Sequence, residues 1–289
     1  MRTALITTVR REHDELVDQV GGISLGSVVP DFHVVIALAD RAVTQGRLPI
    51  TSDRWQTLID GLPTVKQQLP TARALHLGAT TATEAGADLL IFMETTVIPG
   101  PLLVERMIER VRQGGHPHPT LWYAEHARLH PPGPGGYELA NLAEHVRVRP
   151  QPLPPGIEEV FAEGRSFTSP CLAITSDDYA AVGGLVTDYV SGMGHDTDLA
   201  TTVLAAGGDV VRVTGATAYS RHQPTTVADK VQLASVATNA TLYHQRWSRW
   251  PEVRWLTELV EADLVALEED GTCVVRSGAA AEVMAAERP

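Results

Sequence analysis

The chain has 289 residues, of which 44% are hydrophobic and 20% charged, so it is long enough for one large globular domain with or without an appendage. Its formal net charge of −12 argues against a broad nucleic-acid interface and against an anionic membrane surface as a partner. The two cysteines, Cys171 and Cys273, form neither a disulfide framework nor a zinc-binding pattern, and no segment approaches the ~20 apolar residues of a membrane span.

The N-terminal part alternates between strand and helix patterns. The apolar, β-branched residues 3–9 predict a buried strand, and because this run is too short for a signal peptide we expect a cytoplasmic protein. A helix that stops at Gly21 and Gly22 should follow. The next patterns predict a buried strand over 32–40 and a helix over 53–62, which begins at an aspartate N-cap.

The same alternation continues to the end of the chain. After an alanine-rich helix, a third strand, a helix that starts near a Pro-Gly-Pro turn and a fourth strand, the proline- and glycine-rich residues 130–156 predict an ordered excursion or lid. These four elements are predicted at 72–87, 88–93, 102–115 and 120–125. Beyond the lid we expect a strand, two helices, a strand pair, a long helix and a hairpin, at 169–175, 176–185, 195–209, 210–222, 227–247 and 260–275.

Strands that alternate with helices predict an α/β domain around a mostly parallel sheet. We assign this domain to residues 1–225 and expect residues 226–289 to form C-terminal helices and a hairpin packed on it. Ligands of such sheets bind beyond the carboxyl ends of the strands. That rule indicates Thr8, Val9 and Arg10 at the end of the first strand, together with Asp40 and Glu94.

Four stretches in this order resemble the family 2 glycosyltransferases of the GT-A fold, in particular an actinobacterial-type branch. They are "TALITTVRR", "LLIFMETTVIPGP", "AAVGGLVTDYVSGMGHDTDLA" and "YHQRWSRWPEVRWL", which begin at residues 3, 89, 180 and 243. The resemblance implies a Rossmann-like GT-A domain with a donor half at 1–125 and an acceptor half at 126–225. It also implies transfer of a sugar from a nucleotide-diphosphate donor to a hydroxyl acceptor, and UDP is the nucleotide expected first.

The family usually holds a Mn²⁺ or Mg²⁺ ion on an Asp-x-Asp turn, because negative charge builds on the leaving diphosphate. Here Glu94 matches the first acid and Thr96 the second, so the turn keeps one carboxylate for the ribose or for a weakly held cation. His222 matches a family histidine and would join Glu94 as a metal ligand. Arg73 and Arg221 are cations that would otherwise replace the metal charge at the diphosphate.

Asp196 matches the aspartate that removes the acceptor proton in inverting members of the family, so the resemblance makes it the general base. His195 stands where the family has a glutamate, and with Asp198 it would contact the acceptor. Both aspartates also suit a helix N-terminus, where carboxylates are stabilised by free N–H groups, and this structural interpretation stays open. Gly184, beneath the acceptor side, and Trp250, as a surface on which a sugar would stack, complete the expected acceptor contacts.

Thr8, Val9 and Arg10 would line the nucleotide base, with Asp40 at the base or ribose edge, although Asp40 also suits a turn. The alternative to an active transferase is a degenerate GT-A protein that binds or scaffolds a partner, because the Asp-x-Asp motif reads Glu-Thr-Thr. A metal-independent transferase is a third possibility. The expected partners are the donor and a small-molecule or glycan acceptor, with a homodimer left open and with neither nucleic acid nor an integral membrane segment.

Overall fold

The computed structural model describes residues 1–64, 68–154, 158–161, 167–191, 193–223 and 230–276. The elements of the first half are β1 Thr3–Val9, α1 His13–Ser24, β2 Phe32–Leu38, α2 Arg41–Thr44, β3 Gln56–Leu62, α3 Thr71–Glu84, β4 Leu89–Met93, β5 Val97–Pro99, α4 Leu103–Gln113 and β6 Thr120–Leu129. Those of the second half are a 3-10 helix Leu139–His145, β7 Val146–Val148, β8 Cys171–Thr175, α5 Ser176–Ala181, α6 His195–Ala205, β9 Asp209–Ser220, α7 Lys230–Trp247, α8 Arg254–Glu261, β10 Val265–Leu267 and β11 Cys273–Val275.

Nine strands of the described chain form one mixed sheet in the order β3-β2-β1-β4-β8-β6-β9-β5, with β7 paired to β6. The pairings make β1, β2, β3, β4, β6 and β9 run in one direction and β5, β7 and β8 in the other. The expected α/β class with a mostly parallel sheet is therefore confirmed. Because β2 and β3 lie to one side of β1 and β4 lies to the other, the chain order reverses between β1 and β4.

Both faces of the sheet are buried, as expected for a sheet flanked by helices. Along β1 the side chains of Leu5 and Val9 enter the hydrophobic cluster that also contains residues of α1 and α4. Ala4 and Ile6 enter the cluster that contains residues of α3 and α6. Val9 is thus a core residue, and the expectation that its side chain lines a nucleotide site is wrong because it points into the first of these clusters.

The two glycines of α1 do not end the helix, which continues to Ser24. A Cβ atom at Gly22 would lie 2.6 Å from Cγ2 of Ile98 and 3.1 Å from the carbonyl oxygen of Pro99. Close approach of α1 to β5 therefore requires a residue without a side chain at this position. Gly22, which predicted the end of the helix, is instead required for the packing of α1 against β5.

Residues 53–62 do not form the predicted helix. The chain from Gln56 to Leu62 instead pairs in parallel with β2, in a register that joins Phe32 to Gln56 and Leu38 to Leu62. As the edge strand it is only partly buried, so it lacks the continuous apolar run that marked the inner strands. Tertiary pairing with β2 decided its conformation over the local propensity.

The structure also tests three smaller predictions, of which two are corrected and one is confirmed. Residues 210–222 lie mainly in a single strand, β9, whose pairing with β6 shifts between Ala124 and Glu125, so the predicted strand pair is wrong. Helix α5 is capped by Thr175, whose hydroxyl accepts the amide of Asp178, and not by Ser176. The hairpin near the C-terminus is confirmed by the antiparallel pairing of β10 with β11.

The C-terminal elements form their own hydrophobic cluster around residues of α7, α8 and the hairpin. Tyr243 of α7 also packs with Ala72 of α3 and with Tyr189, which ties these elements to the sheet domain. The predicted boundary at 225/226 and the predicted start of the long helix at 227 fall on undescribed residues, as do parts of the predicted lid and of the C-terminal tail. None of the helices in the described ranges combines the length and apolar character that a membrane span needs.

Candidate active site

A cavity of about 350 Å³ opens at the carboxyl ends of β1 and β4, where the chain order of the sheet reverses. Such reversal points are the usual ligand sites of open α/β sheets, because the diverging connections leave a crevice there. The cavity also reaches the first turn of α6. It is lined by Thr8, Arg10, Glu12, Leu38, Leu69, Thr71, Leu75, Phe92, Met93, Glu94, Thr95, Thr96, Ser169, Pro170, Leu172, Ser191, His195 and Asp196.

The turn after β4 is held rigidly against β1 and α1. The hydroxyl of Thr95 donates to the carbonyl oxygen of Thr8, and the side-chain amide of Gln19 donates to the carbonyl oxygens of Glu94 at 2.9 Å and Val97 at 3.1 Å. Gln19 is fully buried, so these bonds are shielded from water. These hydrogen bonds therefore fix the backbone of Glu94 at the cavity wall. The hydroxyl of Thr95 is bound to the backbone of Thr8, although both Thr95 and Thr96 line the cavity.

Glu94 is the single acid of this turn, and its environment opposes ionisation. Its side chain is accessible from the cavity, yet protein surrounds it closely. Loss of bulk water around the carboxyl, followed by the nearby charge of Asp196, raises the pKa of Glu94 to about 7. The hydroxyl of Thr96 lies 3.5 Å from Oε2 of Glu94, which is a weak contact, and favours the ionised form only slightly.

Asp196 lies in the first turn of α6, directly opposite the strand ends. Gly194 precedes the helix with φ +88°, a left-handed conformation that favours glycine, and so allows the chain to turn into it. One carboxylate oxygen of Asp196, Oδ2, accepts the backbone N–H of Ser169 at 3.0 Å. The other, Oδ1, has only a marginal 3.5 Å contact with Thr197, whose hydroxyl donates to Phe167 at 2.9 Å. Asp196 thus presents an oriented carboxylate with one oxygen left for a ligand.

His195 lines the cavity beside Asp196, and burial lowers its pKa against the opposing effect of Asp196 and Asp198. The imidazole is therefore neutral at pH 7 and offers one donor and one acceptor nitrogen. Its Nδ1 atom is buried and has no hydrogen-bond partner within the described ranges. His195 therefore lies in the cavity, and its expected contact with the acceptor stays a prediction.

Asp40 does not reach the cavity, contrary to its expected role at the nucleotide. Its Oδ2 accepts the amide of Arg11 at 2.8 Å and lies 2.7 Å from Nε2 of His13, and its Oδ1 accepts the amide of Ala42 at 3.0 Å. Burial alone would raise the pKa of Asp40, but these hydrogen bonds outweigh it and hold the pKa below its usual value. Asp40 is therefore the N-cap of α2, a structural role, although the sequence had suggested a turn residue as the alternative to a nucleotide contact.

Asp198 also points away from the cavity. Its Oδ1 accepts hydrogen bonds from the indole of Trp247 at 2.7 Å, from Nε of Arg246 at 2.8 Å and from the hydroxyl of Tyr189 at 3.2 Å. The residue joins α6 to the C-terminal end of α7. An acceptor contact for Asp198 is not supported, because the side chain is buried outside the cavity and its Oδ1 already accepts from these three donors.

The arginines that were expected at the diphosphate lie elsewhere. Arg73 is exposed on α3, and helical geometry puts it about 160° around the axis from the cavity-lining Thr71 and Leu75. Arg221 forms a 2.9 Å ion pair with Asp18 of α1, and burial raises the pKa of Asp18 despite this partner. Neither guanidinium group lines the cavity.

The expected metal pair is not brought together at the cavity wall. His222 donates its backbone N–H to the hydroxyl of Tyr137 at 2.9 Å and is not among the cavity-lining residues, whereas Glu94 is. Within the described ranges no group of three His, Cys, Asp or Glu side chains is arranged to hold a metal ion. A turn that offers a single carboxylate provides fewer oxygen ligands than a divalent ion held strongly by a protein takes.

Gly184 and Trp250 lie outside the cavity as well. Gly184 has φ +72° and lies three residues beyond the end of α5, next to Tyr179, where a Cβ atom would come within 2.9 Å of the ring. Trp250 stacks on His244 at 4.4 Å between ring centroids and packs into the C-terminal cluster. Both residues have structural surroundings that explain their identity, and their contact with an acceptor stays a prediction.

Several cavity residues were missed by the sequence analysis. Ser169 precedes β8, whose N-terminal end lies at this edge only because β8 runs antiparallel to β4. Glu12 lies two residues beyond Arg10. The rule that ligands bind beyond the carboxyl ends of the strands would have found Glu12 if it had been applied a few residues further along the chain. Ser191 is joined to the opposite wall, where its N–H donates to the carbonyl oxygen of Leu69 at 2.8 Å.

Solved glycosyltransferase structures share this fold. GalNAc-T7, crystallised with UDP, GalNAc and Mn²⁺, aligns with a TM-score of 0.57 and 10% identity over 91% of this chain and 54% of that chain. S. aureus TarS aligns with a TM-score of 0.51 and 8% identity over 84% of this chain and 40% of that chain. The 1–349 fragment of S. aureus TarS aligns with a TM-score of 0.51 and 10% identity over 86% of this chain and 73% of that chain.

These comparisons establish a GT-A fold for the chain. The chain spans about half the length of the GalNAc-T7 chain that it matches. At sequence identities of 8 to 10%, the similarity shows a shared fold and does not show a shared activity. No family model matches the sequence, and no curated protein matches it.

Proposed function

We propose that the protein is a glycosyltransferase that moves a sugar from a nucleoside diphosphate to a hydroxyl acceptor with inversion at the anomeric carbon. The observation that carries the proposal is the oriented carboxylate of Asp196, which faces the strand-end cavity across from Thr8 and Glu94. A nucleotide in this cavity and an acceptor beside α6 would meet at that carboxylate. The shared fold with glycosyltransferases supports the same reaction class.

In the proposed reaction Oδ1 of Asp196 accepts the proton of the acceptor hydroxyl as its oxygen attacks the anomeric carbon. The bond between that carbon and the phosphate oxygen breaks, and its electron pair leaves with the nucleoside diphosphate. The products are the glycoside, the nucleoside diphosphate and a protonated Asp196. The amide of Ser169 orients the carboxylate, while His195 is suited to bind a hydroxyl of the acceptor or of the sugar.

The donor end of the cavity has the character of a nucleoside site. Leu38, Leu69 and Leu75 offer apolar walls, and Thr8, Arg10 and Glu12 add polar groups beside them. GalNAc-T7 was crystallised with UDP, so uridine is the first nucleoside to test. Membership of glycosyltransferase family 2, in its actinobacterial-type branch, rests on the four sequence motifs and is part of the same proposal.

The test combines binding with turnover. UDP, GDP and TDP are titrated calorimetrically, and nucleotide release is then followed with the matching nucleotide-sugars and a panel of hydroxyl acceptors. Asp196→Asn keeps the shape and the Ser169 contact, so it should bind the nucleotide normally but transfer about 10²- to 10⁴-fold more slowly. Asp177→Asn, an exposed position in α5, is the control.

Failure at either step has a distinct meaning. Absence of binding by all three nucleotides would refute the donor site. Tight nucleotide binding without any turnover would favour the degenerate binding protein over the enzyme. Equal activity in Asp196→Asn and Asp177→Asn would remove Asp196 from the chemistry.

A further inference from the structure

We propose that the Arg10 side chain supplies the positive charge for the donor diphosphate, in place of a metal ion held by the protein. The inference rests on the proposed function, since it concerns the same nucleotide site. The sequence had suggested that Arg10 contacts the nucleotide base. Neutralisation of the diphosphate had been expected from a metal ion on Glu94 and His222, or from Arg73 and Arg221.

Arg10 is positioned by the sheet itself. It follows β1 directly, and the β1–β2 register that pairs Val9 with Ala37 brings Arg10 next to Leu38, another cavity residue. The neighbouring Thr8 is linked to the β4 turn through the hydroxyl of Thr95. Arg10 therefore lies on the same wall as Glu94 and at the point where the sheet order reverses.

The guanidinium group of Arg10 has no partner within the described ranges: neither an ion pair nor a side-chain hydrogen bond links it to another residue there. The nearest carboxylate in sequence, Glu12, is engaged by the backbone, because its Oε2 accepts the N–H of Arg10 at 2.6 Å. Arg221, in contrast, is already paired with Asp18. Arg10 is thus available for a ligand.

The charges around the cavity give Arg10 a specific ligand. Among the residues that line the described cavity it alone carries a permanent positive charge, while Glu12, Glu94 and Asp196 carry carboxylates. A diphosphate is repelled by these carboxylates and attracted to the guanidinium group, which matches phosphate oxygens with two parallel N–H donors. The guanidinium group of Arg10 is therefore the point in the cavity at which a diphosphate binds, while Glu12 beside it is held by the backbone N–H of Arg10.

The donor set of the β4 turn supports the same conclusion. Thr96 replaces the second acid with a neutral hydroxyl, and Thr95 is turned inward to the backbone of Thr8. One carboxylate remains, and no three-ligand group exists within the described ranges. A strongly held divalent ion needs more oxygen ligands from the protein than this turn offers.

The experiment measures UDP affinity by calorimetry in three buffers, containing Mn²⁺, Mg²⁺ or EDTA, for wild type and two neighbouring variants. We expect wild type to bind UDP within about twofold in all three, because a hydrogen-bonded charge pair and not a protein-held ion supplies the affinity. Arg10→Gln should weaken binding by about tenfold or more, which is the usual effect of losing a charge-assisted hydrogen bond. Arg11→Gln, the exposed next residue, should change binding by less than about twofold.

Two additional variants distinguish the loss of a specific contact from the loss of folded protein. Arg10→Lys keeps the charge and should retain part of the affinity that Arg10→Gln loses. Glu94→Gln should still bind UDP, whereas it would lose Mn²⁺-dependent binding if Glu94 held the ion. UDP binding that requires Mn²⁺ and disappears in EDTA, or equal affinity in Arg10→Gln and Arg11→Gln, would overturn the inference and leave the proposed function intact. Lack of nucleotide binding by wild type would overturn both.

Discussion

The indole N–H of Trp247 donates a 2.7 Å hydrogen bond to Oδ1 of Asp198, which joins the end of α7 to the first turn of α6. The two residues are 49 positions apart in the chain. Because Asp196 lies in the same turn, α7 helps to fix α6, the helix that carries the proposed base. Asp198 thus has a structural role, although the motif suggested that it contacts an acceptor.

Asp198→Ala should therefore destabilise the protein strongly. The change leaves Trp247, Arg246 and Tyr189 without their shared acceptor. Because the Arg246 side chain is partly exposed to water, the cost is that of the lost hydrogen bonds, about 1–3 kcal/mol. Urea unfolding followed by fluorescence measures the change in the free energy of unfolding. Asp177→Ala is the control, and a loss no larger than that of the control would contradict the role of Asp198.

Asn239 is expected to hold the loop before α6. Its Oδ1 accepts the N–H of Val190 at 3.0 Å, and its Nδ2 donates to the carbonyl oxygens of Val190 and Met193, both at 2.7 Å. Asn239→Ala should speed hydrogen exchange of the Val190 amide by about tenfold, since that amide loses its acceptor. Thr238→Ala, an exposed neighbour that bonds only within α7, should leave the rate unchanged.

The ionisation of Glu94 should make stability depend on pH. Its pKa in the folded protein, about 7, lies above the ordinary glutamate value of 4.5, because protein surrounds the carboxyl and Asp196 lies nearby. The folded state therefore binds the extra proton between these two values, so the stabilisation is complete below about pH 4.5 and is lost as the pH rises through about 7.

Glu94→Gln tests this dependence. The midpoint of thermal unfolding should fall less between pH 5 and pH 8 in this variant than in wild type, because glutamine does not titrate. Glu84→Gln, which changes an exposed glutamate of α3, should keep the wild-type dependence. If the two variants gave the same pH profile, the assigned environment of Glu94 would be incorrect.

The two glycines of α1 should respond differently to alanine. At Gly22 a Cβ atom meets Ile98 and the backbone of Pro99, so Gly22→Ala should cost about 1–3 kcal/mol of stability, in spite of the better helix propensity of alanine. At Gly21 the nearest atom is Cδ1 of Leu139, 2.4 Å away, which is the flexible end of a side chain. Gly21→Ala should therefore be tolerated better, and chemical denaturation of both variants measures the difference.

Local patterns alone determined much of the architecture. Apolar runs identified the inner strands β1, β2, β4 and β8, and helical periodicity identified α3, α4 and α6, because these signals depend on residues close in sequence. The position of Asp196 in the first turn of α6 and of Glu94 after β4 followed from the same signals. The edge strand β3 was missed, because a half-exposed strand lacks an apolar run and is specified by its pairing with β2.

Only the tertiary structure decided which polar residues face the cavity. Arg10, Glu94, His195 and Asp196 come from three separate elements that meet at one edge of the sheet. Asp40 and Asp198 looked equivalent to them in the sequence, but nearby amides bind the first and α7 binds the second. A side chain's direction and its hydrogen-bond partners depend on residues far away in the chain, and no local pattern encodes those contacts.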